Sequence, residues 1–593
     1  MKKIIATIVL ITIFVACEDD FLDRFPKTEI SEENFFNTEE DLMIYTYGLY
    51  NFPGHGSIYT GDITTDNQAT TGVTEIKTMM NGNPTASTIT AGWNWDDLRD
   101  INFFLENYTK ADVPQDVLNH YEGIARLFRA NFYMDKVKRY SDVPWYDFVI
   151  NADDEDALQA SRDPRDLVVS RIFEDYSFAS EHVKTGQAEG AVDKWTALAY
   201  QARHALYEGT FRKYHPELAL ESSANQFLQM AGDVAMQIMI EGGFSIYSTG
   251  DPNNDYGALF NNTDLGGNPE IIFSVFSEDE IRNSGLWSYM FGNYESSPTR
   301  DLMQSYLNSD GSYYSSVPGF TTKQFVEEFQ NRDPRLSQTY AYPGWVLYNT
   351  STYSQGGGLY VQQLQKNFSG YHQLKGFIND PDPVVTNGVD LPTLRYAEIL
   401  LIYAEAKAEL GELTQQDLDM TINVLRDRAG MPHLTIGAPV DPWQQAIHPN
   451  VSVAELLEIR RERRVELALE GFRTDDLMRW GNGKAIEVSP LGLYFPGLGK
   501  YDLNGDAVED IFLIPNSESI PDNKELNGNG VPLIYYRVGP PGSDASFYLT
   551  QGTSGYVVAT DNRGLFEEPK YYYRPVPETQ VTLNPNLTQI FGW

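Results

Sequence analysis

Apolar side chains recur every three or four residues over long tracts of this chain, a spacing that gathers them on one face of an α-helix. It predicts helices at 96–108, 120–140, 165–184, 193–213, 222–241, 394–410, 415–429 and 453–470. Within 120–140 the residues Ile124, Leu127, Phe128 and Met134 share a broad face, and Asp142-Val143-Pro144 stops the run. An earlier helix starts at Thr38, an N-cap with Asp41 in the reciprocal position, and Leu42, Tyr45 and Leu49 form its stripe. Successive pairs of such lengths predict antiparallel helix hairpins stacked side by side.

Three tracts lose this period. Phe52 to Gly92 is rich in Gly, Thr, Asn and Asp, with Asp62, Asp66, Asn67, Lys77 and Asn83 scattered through it before Trp93-Asn94-Trp95. A loop of that length inside a compact domain is more often functional than decorative. Residues 250–390 turn to Gly, Asn, Ser, Pro and Tyr with brief strand-like runs such as Ile271-Ile272-Phe273-Ser274-Val275-Phe276, and a similar region follows Gly481. Both read as insertions packed on a helical frame.

The stretch from Arg460 to Arg473 breaks the simple amphipathic rule. Leu456, Ile459 and Leu467 share their helical face with Arg460, Arg463, Glu466 and Glu470. Such a face either pairs its charges inside the protein or lines a chemically active cleft. Ser452 is the expected N-cap, with Glu455 three residues on, and Gly471 is expected to end or bend the helix.

Composition narrows the function. Aromatic residues make up 13% and charged residues 21% of the chain, a globular balance. The formal charge of −39 is spread along the chain and repels phosphate backbones, so no nucleic-acid partner is expected. The single cysteine, Cys17, excludes an intramolecular disulfide and a thiolate metal cluster. Before it, Met1-Lys2-Lys3 and the apolar run Ile4 to Val15 have the form of a secretory signal, too short to span a bilayer. Phe14-Val15-Ala16-Cys17 resembles a bacterial lipobox with Phe in place of the commoner Leu. Cleavage before Cys17 and its lipidation would tie the protein to a membrane by its N-terminal anchor only.

Catalytic signatures are sparse. The chain has no H-E-x-x-H, G-x-S-x-G or P-loop, and the histidines show no ligand-like spacing. A helical glycoside hydrolase with an Asp/Glu pair stays open as an alternative. Asp502-x-Asn504-x-Asp506-x-x-x-Asp510 places oxygen ligands as a structural Ca²⁺ requires, although Ala507 and Leu513 depart from the EF-hand pattern; a solvated Asp/Asn turn is the other reading. No cofactor is required. Trp93, Trp287, Tyr289, Tyr294, Tyr313, Tyr314 and Trp345 fall in or beside irregular segments, where ring faces stack on sugars while Asp66, Asn67 and Lys77 are of the types that hydrogen-bond hydroxyls. Core packing is the alternative for each.

Several strings together resemble the SusD/RagB family of Bacteroidetes outer-membrane nutrient-binding lipoproteins. They are Arg126-Leu127-Phe128-Arg129-Ala130, Arg139-Tyr140-Ser141-Asp142-Val143-Pro144, Asn268-Pro269-Glu270-Ile271-Ile272-Phe273, Ser297-Pro298-Thr299 and Arg332-Asp333-Pro334-Arg335-Leu336. Leu394-Arg395-Tyr396-Ala397-Glu398, Asn423-Val424-Leu425-Arg426-Asp427-Arg428-Ala429-Gly430-Met431-Pro432 and the closing Pro575-Val576-Pro577, Asn584-Pro585-Asn586-Leu587 and Gly592-Trp593 continue the series in order.

The resemblance implies a mainly α fold, a tetratricopeptide-like scaffold of about four helix pairs with large loop-rich insertions and few short strands. It implies a signal peptide at 1–16, a lipidated tether at 17–37, an N-terminal helical region at 38–250 and a loop-rich C-terminal region at 251–593 with helices near 394–480, folded as one unit. It further implies a non-catalytic protein, lipid-anchored in the outer membrane and facing outward. Such a protein captures an oligosaccharide or polysaccharide for a SusC-like TonB-dependent barrel, with peptide or another nutrient as the alternative cargo. Glycan contacts vary across the family, so only two regions carry over, the loop ending at Trp93-Trp95 and the segment at 287–314. Trp95 stands at the family's helix-start aromatic and is expected to be structural.

Overall fold

The computed structural model describes residues 35–285, 296–348, 359–367, 369–559 and 562–593. Helix α1 (Glu39–Gly48) opens on the expected capping box: Thr38 accepts the Asp41 amide, and Asp41 accepts the Thr38 amide at 2.8 Å. The frame continues with α2 (Asp96–Asn107), α3 (Gln115–Tyr140), α4 (Arg165–His182), α5 (Lys194–Tyr214), α6 (Ala224–Glu241) and α7 (Tyr396–Leu410). From α2 to α7 each helix packs on the next, although 154 residues separate the last two, so the periodic segments form one continuous stack. Helix α3 starts five residues earlier than its apolar stripe predicts, directly after Pro114, and ends where Ser141 turns to φ +63°.

The helix expected at 415–429 is two, α8 (Gln415–Met420) and α9 (Ile422–Arg428). The break falls at buried Thr421, whose hydroxyl donates back to the Asp417 carbonyl and competes with the helical ladder. Helices α10 (Ala454–Glu466) and α11 (Arg473–Arg479) complete the frame. Val453, not Ser452, stands at the N-cap position of α10, which has no side-chain cap, and Glu455 accepts from the Gly437 amide instead of serving the helix start. The helix also ends before Gly471: Leu469 and Gly471 both adopt positive φ, and Gly471 lies against Gly61, where a Cβ would come within 2.7 Å of its Cα.

The tract 52–92 is more ordered than its composition predicts, holding short helices His55–Tyr59 and Glu75–Asn81 and strand β1 (Gln68–Thr70). The strands are otherwise few and short. They are β2 (Ile271–Val275), β3 (Ser296–Pro298), β4 (Leu391–Arg395), β5 (Leu491–Phe495), β6 (Gly499–Tyr501), β7 (Ile511–Pro515), β8 (Ile534–Gly539), β9 (Phe547–Tyr548) and β10 (Gly555–Val558). Antiparallel pairs β1–β3, β2–β4 and β5–β10 tie distant segments together, and β6–β7–β8–β9 forms a sheet whose β7–β8 and β8–β9 pairs are parallel.

The larger apolar core runs from Phe36 through α3, α5 and α7 to Tyr573. A second core joins Leu302, Tyr340, Leu493 and Tyr536. Helix α10 stands between them, giving Leu457 and Ile459 to the first and Val465 to the second. Every residue from Leu456 to Glu466 is buried, so the helix has no solvent face on which to place its charges. Among the described residues no helix is long and apolar enough to cross a membrane.

Candidate functional site

The charges of α10 are paired inside the protein. Glu466 accepts from Arg428 at 2.6 Å and from Arg335 and Arg395 at 3.1 Å each. Glu270, brought in by β2, accepts from both Arg395 and Arg428, and Glu470 holds Arg395 and Lys375. Arg460 meets Glu409 on α7, Arg463 meets Asp476 on α11, and Arg461 meets Asp441. Burial pushes the Glu466 carboxyl up, but Arg428, Arg395 and Arg335 outweigh it and hold the group well below the usual carboxylate range. This is a docking lattice: the ion pairs fix the surrounding elements against α10 and against one another, and removal of one partner strands the other.

A pH dependence follows from that sign. A carboxyl held below its unfolded value contributes stability that is fully present above about pH 4.5 and lost as pH falls through the folded value. Asp66 behaves likewise, pushed up by burial but pulled further down by Arg464 and Arg473. Urea midpoints measured from pH 7 to pH 3 are expected to hold above about pH 4.5 and to decline steadily below it; a midpoint unchanged at pH 3 contradicts the lattice.

Asp66 and Asn67 belong to this lattice. Asp66 receives two hydrogen bonds of 2.7 Å from Arg473, and Asn67 bridges Arg464 and Asp62. The side chain of Lys77 folds back to the carbonyls of Thr70 and Gly72, tying its own loop. Trp93 packs edge-on against Trp95 and Tyr140, and Trp95 packs among Phe132, Tyr133 and Tyr146 at the start of α2, the structural place expected for it. Tyr314 is buried with the Arg332 guanidinium 3.6 Å above its ring, leaving no open face for a sugar. Tyr313 donates to the Pro439 carbonyl beside Arg461. Cys17, Trp287, Tyr289 and Tyr294 lie outside the described residues.

The Asp502–Asp510 turn points its oxygens inward at its own amides. Asp502 accepts from Asn504, Gly505 and Ala507, Asp510 from Leu503 and Asn504, and Asp506 from Val508 and Asn529. Burial pushes the Asp510 carboxyl up to about 6, with Asp502 and Asp506 adding to the rise against the pull of those amides. Among the described residues no three His, Cys, Asp or Glu side chains are grouped to hold a metal ion.

Trp345 lines a roomy cleft. Its volume is about 480 Å³, and Tyr342, Phe377, Gln338, Asn253, Asn261 and Asn379 line it with Trp345. The Trp345 ring is half-buried and held edge-on by Tyr360 and Phe377 at 5.4 and 6.3 Å between centroids. Gln338 bonds the Gly257 amide and the Pro252 carbonyl, and Asn379 bonds the amide of Tyr348 and the carbonyl of Val346, so both amides brace the walls. Asn253 and Asn261 are exposed at the cleft, where their amides can both donate and accept.

The one cation in the lining, Lys375, turns away: its ammonium donates to Glu470 at 2.6 Å and to the Tyr256 hydroxyl. Burial lowers it to about 8 against the pull of Glu470. Aromatic rings beside neutral amides suit an uncharged, hydroxyl-rich ligand by stacking and hydrogen bonding. The amides Asn253, Asn261, Gln338 and Asn379 carried no sequence signal, because they come from three separate segments that the fold alone assembles.

Comparison with known proteins agrees with this architecture. The SusD family model matches residues 269–593. Two curated relatives from Formosa agariphila are SusD-like protein P38, 25% identical over 522 residues (82% of this chain, 93% of that protein), and SusD-like protein P2, 26% identical over 568 residues (88% and 99%). A SusD-like carbohydrate binding protein from Bacteroides fragilis NCTC 9343 superposes with a TM-score of 0.66 at 21% identity, covering 93% of this chain and all of that one. A second SusD-like protein from the same organism gives 0.67 at 20% identity, covering 96% and all of it.

Proposed function

The chain belongs to the SusD family, and from that premise we propose that it is a non-catalytic lipoprotein that captures oligosaccharide at the cell surface and passes it to a SusC-like TonB-dependent barrel. The Trp345 cleft carries the glycan reading. Its rings and uncharged amides offer stacking and paired hydrogen bonds to a sugar, and the nearby charges are consumed by the α10 lattice. A binding protein needs no more than that: the ligand is held by surface complementarity and leaves unchanged. The SusD-like relative from Bacteroides fragilis bears the description of a carbohydrate binding protein, which supports the same cargo class here. Anchoring at Cys17 places the body at the outer membrane, where an outward orientation makes extracellular glycan accessible.

Titration of a glycan panel into the full soluble body tests this. Saturable binding without new reducing ends is expected, and Trp345→Ala is expected to weaken it about tenfold, or roughly 1.4 kcal/mol, while the protein stays folded. Turnover that disappears when a single carboxylate is replaced would show an enzyme instead. A blank glycan array with the barrel partner still captured would make peptide or another nutrient the cargo.

A further inference from the structure

A second cavity, of about 450 Å³, opens against the α10 lattice beside Asp66 and Asp301 and shares no lining residue with the Trp345 cleft. Its walls are apolar, formed by Trp443, Ile447, Leu491 and Tyr556 among others. Its floor is polar and incompletely satisfied. Asp301 gives one carboxylate oxygen to Arg464 at 2.6 Å, and its other oxygen has no partner among the described residues. The Asp301 side chain keeps 40% of its surface accessible, as an acid at the floor of a chamber does. Gln304 is 8% exposed and also lines the cavity, and its side-chain amide makes no hydrogen bond to the described protein. Its amide atoms are open to the cavity and so can bond a molecule that enters it.

The chemistry of the missing partner is legible. Asp66 has both oxygens committed to Arg473, Arg464 is shared between Asp66 and Asp301, and Arg300 pairs with Glu328 at 2.7 Å. Lys484 at the rim is tied to Glu568 at 2.9 Å. Each cation at the cavity is thus paired with a carboxylate, Arg300 keeping only a buried Nε without a partner, whereas one Asp301 oxygen awaits a donor. The chain's net charge of −39 raises the local concentration of cations over anions. An apolar chamber with a few convergent polar groups at one end is the usual form of a small-molecule site.

We propose that this cavity binds a small amphipathic amine, its aromatic or branched-aliphatic body against Trp443, Leu491 and Tyr556 and its ammonium donating to Asp301 and Gln304. The site is independent of the glycan reading. Three probes of one shape separate the chemistry by calorimetric titration into the full soluble body: phenethylamine, 2-phenylethanol and 3-phenylpropionate. Saturable binding of the amine is expected, with the alcohol at least about tenfold weaker and the acid silent.

Gln304→Ala removes only an unpaired amide and should weaken the amine about fivefold. Val488→Trp, at a rim position 67% exposed and so tolerant of substitution, should block entry and weaken it at least about tenfold. Trp345→Ala should leave amine affinity unchanged, which separates failure of this site from failure of the glycan cleft. Equal affinity for the three probes, no binding of the amine, amine binding untouched by Val488→Trp, or displacement of the amine by neutral oligosaccharide would each overturn the proposal.

Discussion

Replacing Glu466 by alanine is expected to lower the free energy of unfolding by about 3–5 kcal/mol while leaving ligand affinity within about twofold. Glu466 is fully buried and is the shared anion for Arg335, Arg395 and Arg428, which arrive from three different segments. The alanine variant keeps three guanidinium groups in a place from which water is excluded and removes the charge that compensates them. Arg335 retains Asp333 and Glu462, Arg395 retains Glu270 and Glu470, and Arg428 retains Glu270, so the fold is weakened but not abolished. Equilibrium urea unfolding at pH 7 measures the loss. Glu466→Gln should recover part of it by keeping the volume and one acceptor. If the glycan affinity collapses while the urea midpoint stays put, Glu466 belongs to a ligand site and the lattice reading fails.

Cys17→Ala is expected to move the protein almost wholly from the membrane to the soluble fraction. Lipidation at Cys17 would supply more than one acyl chain, each methylene contributing about 0.8 kcal/mol of membrane affinity, where a single chain holds only marginally. No helix of the described residues can replace that anchor by spanning the bilayer. High-speed fractionation followed by detection of the chain gives the answer, with a carbonate wash to remove peripheral association. An alanine variant that stays with the membrane through that wash refutes lipid anchoring at this residue.

The two substitutions probe parts of the chain with very different legibility. Helices α2 to α7 were readable because the helical period is local: a residue and its neighbours three and four positions away already reveal the buried face. The Thr38–Asp41 capping box was readable for the same reason. The elements inside 52–92 were not. A strand of three residues such as Gln68–Thr70 is too short to display any alternation, and all three are buried because β1 pairs with β3 more than two hundred residues away. Helix α10 was readable as a helix but not at its ends. It starts after Val453 with no side-chain cap, and Glu455 is held by the Gly437 amide, a contact that no local pattern announces.

The charged face of α10 left two readings open in the sequence, an active cleft or an internal lattice. Its partners decided the matter: Glu270, Arg335, Arg395 and Arg428 all fall within strings that carry the family resemblance, and each meets Glu466 or one of its arginines. The Trp345 cleft shows the opposite case, in which a single aromatic residue was visible and its amide neighbours were not.

By itself the sequence determined the class of the fold, the order of its helices, the resemblance to a family and the absence of a recognisable catalytic signature, because each of these rests on local periodicity, short strings or composition. Tertiary structure alone decided which charges neutralise which, that Asp66, Asn67 and Tyr314 serve packing and pairing, and where Trp345 and its amides converge. The physical reason is distance along the chain: pairing and cavity formation depend on segments that are neighbours only after the apolar faces have closed, and a side chain's chemistry is set by what then surrounds it.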